Sequence, residues 1–533
     1  MKVLVSSLLA LPLTLAAPGA HAPRVPSVSS SVLHRPHLQQ LQQQQQQQGG
    51  ILSLSLRKTV GPPAMTASAA RRLHRLRRER AQTADDVDPR ALRASPPLPP
   101  HQGLIDRSEY YLADLGIGTP PQNVSLLVDT GGWVTWVNPD CARALRLAEC
   151  NALPAYNPSA SNPPPRKVHG LDQVIMYGDF MGASLEGYAD VFTWGGSDAA
   201  AGNGSSHTTG GTHVPNQPFA VANLTLGLST GILGLAPDGA GGFDSAVSNY
   251  SVVSTLAAQG LTASRTFSLA YNRVVDMGAH GGTLVFGGVD KNRFTGPLVR
   301  TPISPLDDNV DAWRYWAHVT NIAHERPDGT AGVRNATNGF GATYMLDSGT
   351  TGIYVERGYF DQVLAELNLT RDPLRAEGFP AVDCSYANAS NLGALSFTFA
   401  GVPLPVPSSS NTTWTNTTWT NTTTPSTPTN ATAPGVTIRV PYASLVHPMM
   451  YKDPFIVPSP NACFLALSSG GNAYDDGDTF PILGVEFFKA AYAVFDWDNR
   501  EMAFAQGTDC GAPDLVPIGK GPHAIPDVKG NCK

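Results

Sequence analysis

Charged residues are scarce in this chain of 533 residues: Asp, Glu, Lys and Arg make up only 15% of it. The formal net charge is −6 at pH 7. That balance excludes a strongly basic protein built to hold nucleic acid by its phosphates. After the first 22 residues no apolar run is long enough to span a bilayer. The final Gly530-Asn531-Cys532-Lys533 offers no hydrophobic tail for a lipid anchor. No cysteine precedes Cys141 and no CxxC pair occurs, which argues against zinc and thiol-redox chemistry. HExxH, a P-loop and a GxGxxG dinucleotide context are missing as well. No metal and no cofactor are expected. Glycine and proline, by contrast, are plentiful at 52 and 45 residues. Average usage of the two is roughly 12% together, and this excess disfavours a helical bundle and predicts a loop-rich, mostly β protein.

The small net charge hides a division along the chain. Residues 23–100 carry twelve basic and four acidic side chains, which leaves 23 basic against 38 acidic groups from residue 101 onward. Residues 1–22 read as a signal peptide: Lys2, an apolar stretch from Val3 to Ala17, then small residues at Ala20 and Ala22. Residues 23–100 read as a disordered basic propeptide, with a glutamine run from Gln42 to Gln48 and a proline cluster from Pro96 to Pro100. Arg71-Arg72 and Arg77-Arg78 are dibasic pairs open to processing. Opposite charge would hold this segment to the acidic body at neutral pH and release it as carboxylates protonate.

Six cysteines, Cys141, Cys150, Cys384, Cys463, Cys510 and Cys532, fit a secreted disulfide-linked chain. Several connectivities are open, and pairing between sequence neighbours is the expectation. Glycosylation acceptors occur at Asn123, Asn203, Asn223, Asn249, Asn335, Asn368, Asn388, Asn411, Asn416, Asn421 and Asn430. The last four lie in a Ser/Thr/Pro-rich stretch, residues 405–435, which cannot build a core and reads as a sugar-coated surface insert. Residues 197–216 read as a second inserted loop. An extracellular location is expected, with a vacuole or cell wall as the alternative.

One pattern occurs twice. Leu126-Leu127-Val128-Asp129-Thr130-Gly131 and Tyr344-Met345-Leu346-Asp347-Ser348-Gly349 each run from an apolar strand into Asp, a small hydroxyl residue and Gly. The glycine permits a sharp turn and close approach, and the hydroxyl can brace it. Downstream, Gly231-Ile232-Leu233-Gly234 and Pro481-Ile482-Leu483-Gly484 form a second repeated pair. The order predicts two related lobes that bring Asp129 and Asp347 face to face. Two adjacent carboxyls share a proton, so one serves as base while the other serves as acid.

These residues resemble the pepsin-like aspartic proteases, over roughly residues 108 to 506. Tyr110 to Gln122 is similar to that family's opening strand, and Gly282 to Asp290 to its stretch near the lobe junction. Trp136 with the Cys141/Cys150 loop, Tyr177-Gly178-Asp179 as flap tip, and Ile482-Leu483-Gly484 before Ala493-Val494-Phe495-Asp496 follow in family order. The resemblance implies a bilobal pepsin-like acid protease fold, mostly β, with two related β lobes and a cleft between them. It implies an N-terminal lobe at 108–298, a C-terminal lobe at 312–506 and a disulfide-closed tail at 507–533. It also implies an endopeptidase acting on polypeptides at acidic pH through a water held between Asp129 and Asp347. Thr130, Gly131, Ser348, Gly349 and Thr350 would support the catalytic loops, and Tyr177 would bond toward Trp136. The partners expected are polypeptide substrates and the chain's own propeptide, on a monomer.

Two positions depart from the family pattern. Gly132 stands where a serine hydroxyl usually donates to the first carboxylate, and Phe180 stands where the flap has glycine. Gly132 therefore leaves Asp129 the less stabilised carboxylate when ionised. It also keeps open an alternative, a catalytically weakened relative that acts as a protein or inhibitor binder. Gly227-Leu228-Ser229-Thr230-Gly231 matches GxSxG but runs straight into the next apolar stretch, so a serine hydrolase is disfavoured. Asp475-Asp476-Gly477-Asp478 does not complete a calcium loop and reads as a solvated acidic turn.

Overall fold

A computed structural model gives the architecture. It describes residues 52–60, 64–65, 104–105, 109–144, 147–177, 181–194, 212–237, 250–271, 282–303, 314–326, 331–334, 343–369, 379–388, 393–401, 435–448, 462–469 and 481–533. The signal peptide, the dibasic pairs, the 405–434 part of the insert, Asp475 to Asp478 and flap residues Gly178, Asp179 and Phe180 lie outside the described residues. So do Asn203, Asn249, Asn335, Asn411, Asn416, Asn421 and Asn430.

Strands dominate, as the punctuation by glycine and proline predicts. Among the described residues one sheet has 14 strands and another has 8, and the larger one joins strands from early in the chain to Ala491–Asp496 and Glu501–Gly507 near its end. The alternation of apolar and polar residues in Gly182–Trp194 buries every second side chain over most of its length. Thr266–Tyr271, Gly282–Phe286 and Ala491–Asp496 read instead as unbroken apolar or small-residue runs. They are buried on both faces and pair side by side in the central part of the larger sheet. Phe267 stacks on Phe495 there at 4.6 Å between ring centroids. A continuous apolar core reaches from Val128 and Phe286 to Leu346 and Phe504.

The sequence repeat appears as a repeated three-strand unit. In the first lobe Gly231–Gly234 lies parallel to Gln122–Asp129 and antiparallel to Trp136–Val137. In the second, Ile482–Leu483 lies parallel to Thr343–Leu346 and antiparallel to Ile353–Val355. The two aspartates therefore occupy matching ends of matching strands.

Two expectations change here. Residues 52–60, assigned above to a disordered segment, form the strand Leu52–Val60. Its backbone pairs with Gly282–Phe286 on one side and Glu109–Ile117 on the other. The alternation Leu52-Ser53-Leu54-Ser55-Leu56 is a strand signal, and the low-complexity sequence around it obscured that signal. The second correction concerns the predicted loop 197–216, whose last residues join the strand Thr212–Leu226. Val214 is fully buried and Gln217, just beyond the predicted loop, is buried too, so this edge has a core to pack against.

Disulfides join Cys141 to Cys150, Cys384 to Cys463 and Cys510 to Cys532. The tail 507–533 lies against the larger sheet: Leu515–Pro517 pairs with Gly288–Asp290, and Ile518 and Ile525 are buried beside Phe294 and Val494. Asn123, Asn223, Asn368 and Asn388 are exposed. Among the described residues no helix is long and apolar enough to cross a membrane.

Candidate active site

Asp129 ends the strand Gln122–Asp129, and Asp347 directly follows Thr343–Leu346. The parallel partners hold both termini. Leu235 N–H donates to the Asp129 carbonyl at 2.8 Å, and Asp347 N–H donates to the Leu483 carbonyl at 3.1 Å. The carboxyl groups meet between the lobes: a β-carbon placed on Gly349 would lie 2.6 Å from Asp129 Oδ1 and 3.1 Å from Asp347 Oδ1.

Glycine makes this approach possible. A β-carbon on Gly131 would sit 2.5 Å from the Asp347 carboxyl carbon, and one on Gly349 would sit 2.6 Å from Asp129 Oδ1. Any side chain at either position would push the carboxyls apart.

A reciprocal brace locks the two loops. Thr130 N–H donates to Ser348 Oγ at 3.0 Å, and Ser348 N–H donates to Thr130 Oγ1 at 2.9 Å. Each hydroxyl then donates onward into the opposite lobe, Thr130 Oγ1 to the Leu346 carbonyl and Ser348 Oγ to the Val128 carbonyl, both at 2.9 Å. Both residues are fully buried, so these four bonds work away from competing water.

The surroundings of the two carboxyls differ. Asp129 Oδ1 accepts from the backbone N–H of Gly131 at 2.8 Å and of Gly132 at 3.0 Å. Asp347 Oδ1 accepts from Gly349 N–H at 2.9 Å, and its Oδ2 accepts from the Thr350 hydroxyl at 2.7 Å. No side-chain donor reaches Asp129 from position 132, where a β-carbon would lie 2.5 Å from Asp129 Oδ2. Burial, and then the charge of Asp347, hold the Asp129 carboxyl well above the usual carboxylate range, against the pull of the two backbone donors.

Of the predicted flap, Tyr177 is described. The hairpin strands Gln173–Met176 and Gly182–Trp194 pair antiparallel, and Tyr177 N–H donates to the Met181 carbonyl at 2.8 Å. Trp136 Nε1 donates to the Tyr177 hydroxyl at 2.8 Å. Trp136 itself is fully buried, so it is at once a core side chain and the hydrogen-bond partner of Tyr177. Ser229 is buried in a link between two strands, with no helix after it, which is not the strand-turn-helix setting of a serine nucleophile. Tyr271, beneath the brace, was missed. Its sequence context, Thr266–Tyr271, carries only a strand signal.

The description "eukaryotic aspartyl protease" matches residues 110–425 of this chain. Gastricsin of Rattus norvegicus is 25% identical over 406 residues, covering 74% of this chain and 80% of that protein. Secreted aspartic protease 8 of Candida albicans is 28% identical over 410 residues, covering 76% and 77%. Among solved structures, an aspartic proteinase from Irpex lacteus aligns at 20% identity with a TM-score of 0.49, covering 76% of this chain and 96% of that one.

Proposed function

The chain belongs to the eukaryotic aspartyl protease family, and on that premise we propose that it is a secreted endopeptidase working at acidic pH through Asp129 and Asp347. As an aspartic-type endopeptidase it hydrolyses polypeptides. The observation that carries the finer reading is the contact of two carboxyls with unlike donor sets at the junction of the lobes.

In this reading a water lies between the two carboxyls. Asp347, with a hydroxyl donor on its outer oxygen, carries the negative charge and takes a proton from the water as the water oxygen attacks the peptide carbonyl carbon. Asp129 keeps its proton because burial and the neighbouring charge disfavour its ionisation. It passes that proton to the carbonyl oxygen. The resulting tetrahedral adduct collapses as the C–N bond breaks, and the amine nitrogen leaves with a proton supplied by the dyad. No bond forms between enzyme and substrate. The brace keeps the carboxyls at working distance, and the Trp136–Tyr177 bond holds the flap over the cleft.

Residues 1–22 act as a signal peptide and residues 23–100 as a basic propeptide. The pairing of Leu52–Val60 on both edges supports this, since that strand ties the leader to the body in the uncut chain. Cleavage at Arg71-Arg72 or Arg77-Arg78 would break its covalent link to the body and leave the backbone pairing in place. The mature monomer is disulfide-linked and carries sugar on exposed acceptors such as Asn123 and Asn368.

The test is an acid digest of denatured protein with the wild-type chain and Asp347→Asn, combined with N-terminal sequencing of the mature form. Cleavage confined to the wild type is expected. Equal cleavage by the variant would defeat the dyad. A wild type that binds a statine-type inhibitor yet cleaves nothing would favour the binder alternative.

A further inference from the structure

Beneath the brace lies a buried phenol that no step above uses. Tyr271 is the last residue of the strand Thr266–Tyr271 and is only 5% exposed. Its ring stacks on Tyr111, with centroids 3.7 Å apart and planes within 8° of parallel. Phe488 tilts against the ring at 5.9 Å. Tyr111 belongs to Glu109–Ile117, which pairs with the strand that ends at Asp129. Phe488 closes the short helix Val485–Phe488, whose first two N–H groups donate to the carbonyls of Thr350 and Thr351. Tyr271 is thus clamped between the elements that carry the two aspartate loops.

Its hydroxyl faces Ser348 and lies near enough to both aspartates to feel their charge. It is buried and makes no complete hydrogen bond to any described residue. A phenol O–H left unmade in the interior is costly, so this group has a strong tendency to find a partner. Ser348 Oγ offers one. That oxygen gives its proton to the Val128 carbonyl and accepts one N–H from Thr130. A hydroxyl oxygen has two acceptor positions, so one is left.

We propose that Tyr271 is a positioning residue for the dyad, its O–H closing onto the remaining acceptor position of Ser348 Oγ as a third bond on one side of the brace. The proposal rests on the reading of Asp129 and Asp347 as the catalytic pair. Its effect follows from cooperativity: an oxygen that accepts more strongly also donates more strongly, which tightens the Ser348 bond to the Val128 carbonyl, the residue before Asp129. The other half of the brace, Thr130 Oγ1, has one donated and one accepted bond. The support is therefore one-sided, like the donor sets of the two carboxyls. The ionisable groups facing the phenol are Tyr111, Asp129 and Asp347. The adjoining strand sets Gly282 opposite Tyr271, and the helix sets Phe488 against it. Burial pushes the phenol far above its ordinary range, so the O–H remains a donor at every pH at which the enzyme would work.

Tyr271→Phe keeps the stack and removes only the hydroxyl. Turnover of an internally quenched peptide should show kcat lowered about two- to tenfold, as one neutral hydrogen bond allows. KM should stay unchanged, and the pH–rate profile should be displaced. A purely structural role would lower the melting temperature without moving that profile. In a Ser348→Ala background the same change should have no further effect, because its route is gone. Asp347→Asn is run alongside. If it is inactive while Tyr271→Phe keeps wild-type kcat and pH profile, the positioning role is overturned and the dyad stands. Additive losses in the Ser348→Ala background would overturn it too. Activity in Asp347→Asn would remove the dyad reading and this proposal with it.

Discussion

Thr350→Val isolates the asymmetry of the dyad. Valine has nearly the shape of threonine and lacks only the hydroxyl that donates to Asp347 Oδ2 at 2.7 Å. Asp347 then keeps its Gly349 N–H donor on Oδ1. A hydrogen bond to a charged group contributes about 1.5–3 kcal/mol. One pH unit corresponds to about 1.4 kcal/mol. The acid limb of the kcat/KM profile, where the singly charged dyad takes up its second proton, should therefore move up by about 1 to 2 pH units. The shift is capped where Asp129 becomes the easier group to ionise, since the pair titrates together. The assay is kcat/KM for a quenched peptide across the acid range, with active enzyme counted by titration with a statine-type inhibitor. An acid limb that does not move, on a folded enzyme, would refute the assignment of the charge to Asp347.

Three further outcomes are expected. Gly132→Ser should not simply restore a missing donor, because its β-carbon meets Asp129 Oδ2 at 2.5 Å. The loop must shift, so kcat should fall, and a variant with wild-type kcat and an unmoved pH profile would contradict this. Asp129 has a raised folded-state pKa, so the native state binds more protons than the unfolded one above the ordinary carboxylate range. Its contribution to stability is fully present below the unfolded value and is lost as pH rises through the folded one, by up to about 1.4 kcal/mol per pH unit. Calorimetry should show this loss in the wild type and a flatter dependence in Asp129→Asn. The double change Cys384→Ser and Cys463→Ser opens a link spanning 79 residues, which chain entropy values at about 4–5 kcal/mol. A clearly lower melting temperature is expected in thermal unfolding, with kcat/KM unchanged below it.

Much of the site was legible because it is written in short contiguous stretches. Asp129-Thr130-Gly131 and Asp347-Ser348-Gly349 each carry strand, acid, brace and turn within a few residues, and their duplication gives the relation between them. Trp136 and Tyr177 were named from their order along the chain, and a 2.8 Å bond joins them. What depends on distant approach was not legible. Tyr271 lies 77 positions before Ser348 and has the pattern of an ordinary strand residue, so nothing local marks its place under the brace. The role of Gly132 is also clearer in three dimensions. Its backbone N–H still supports Asp129, and what is lost is space for a side chain as well as a hydroxyl. The strand Leu52–Val60 has the right alternation, but its partners lie up to 234 residues away, as Leu52 opposite Phe286 shows.

The central claim is that Asp129 and Asp347 act as one acid–base pair. The most direct measurement is single-turnover cleavage of a peptide by Asp129→Asn and by Asp347→Asn, each purified as the processed chain and shown by thermal unfolding to be folded. The account predicts that either change alone abolishes cleavage across the acid range, because neither carboxyl can be base and acid at once. Cleavage by either folded variant at a rate near that of the wild type would contradict it.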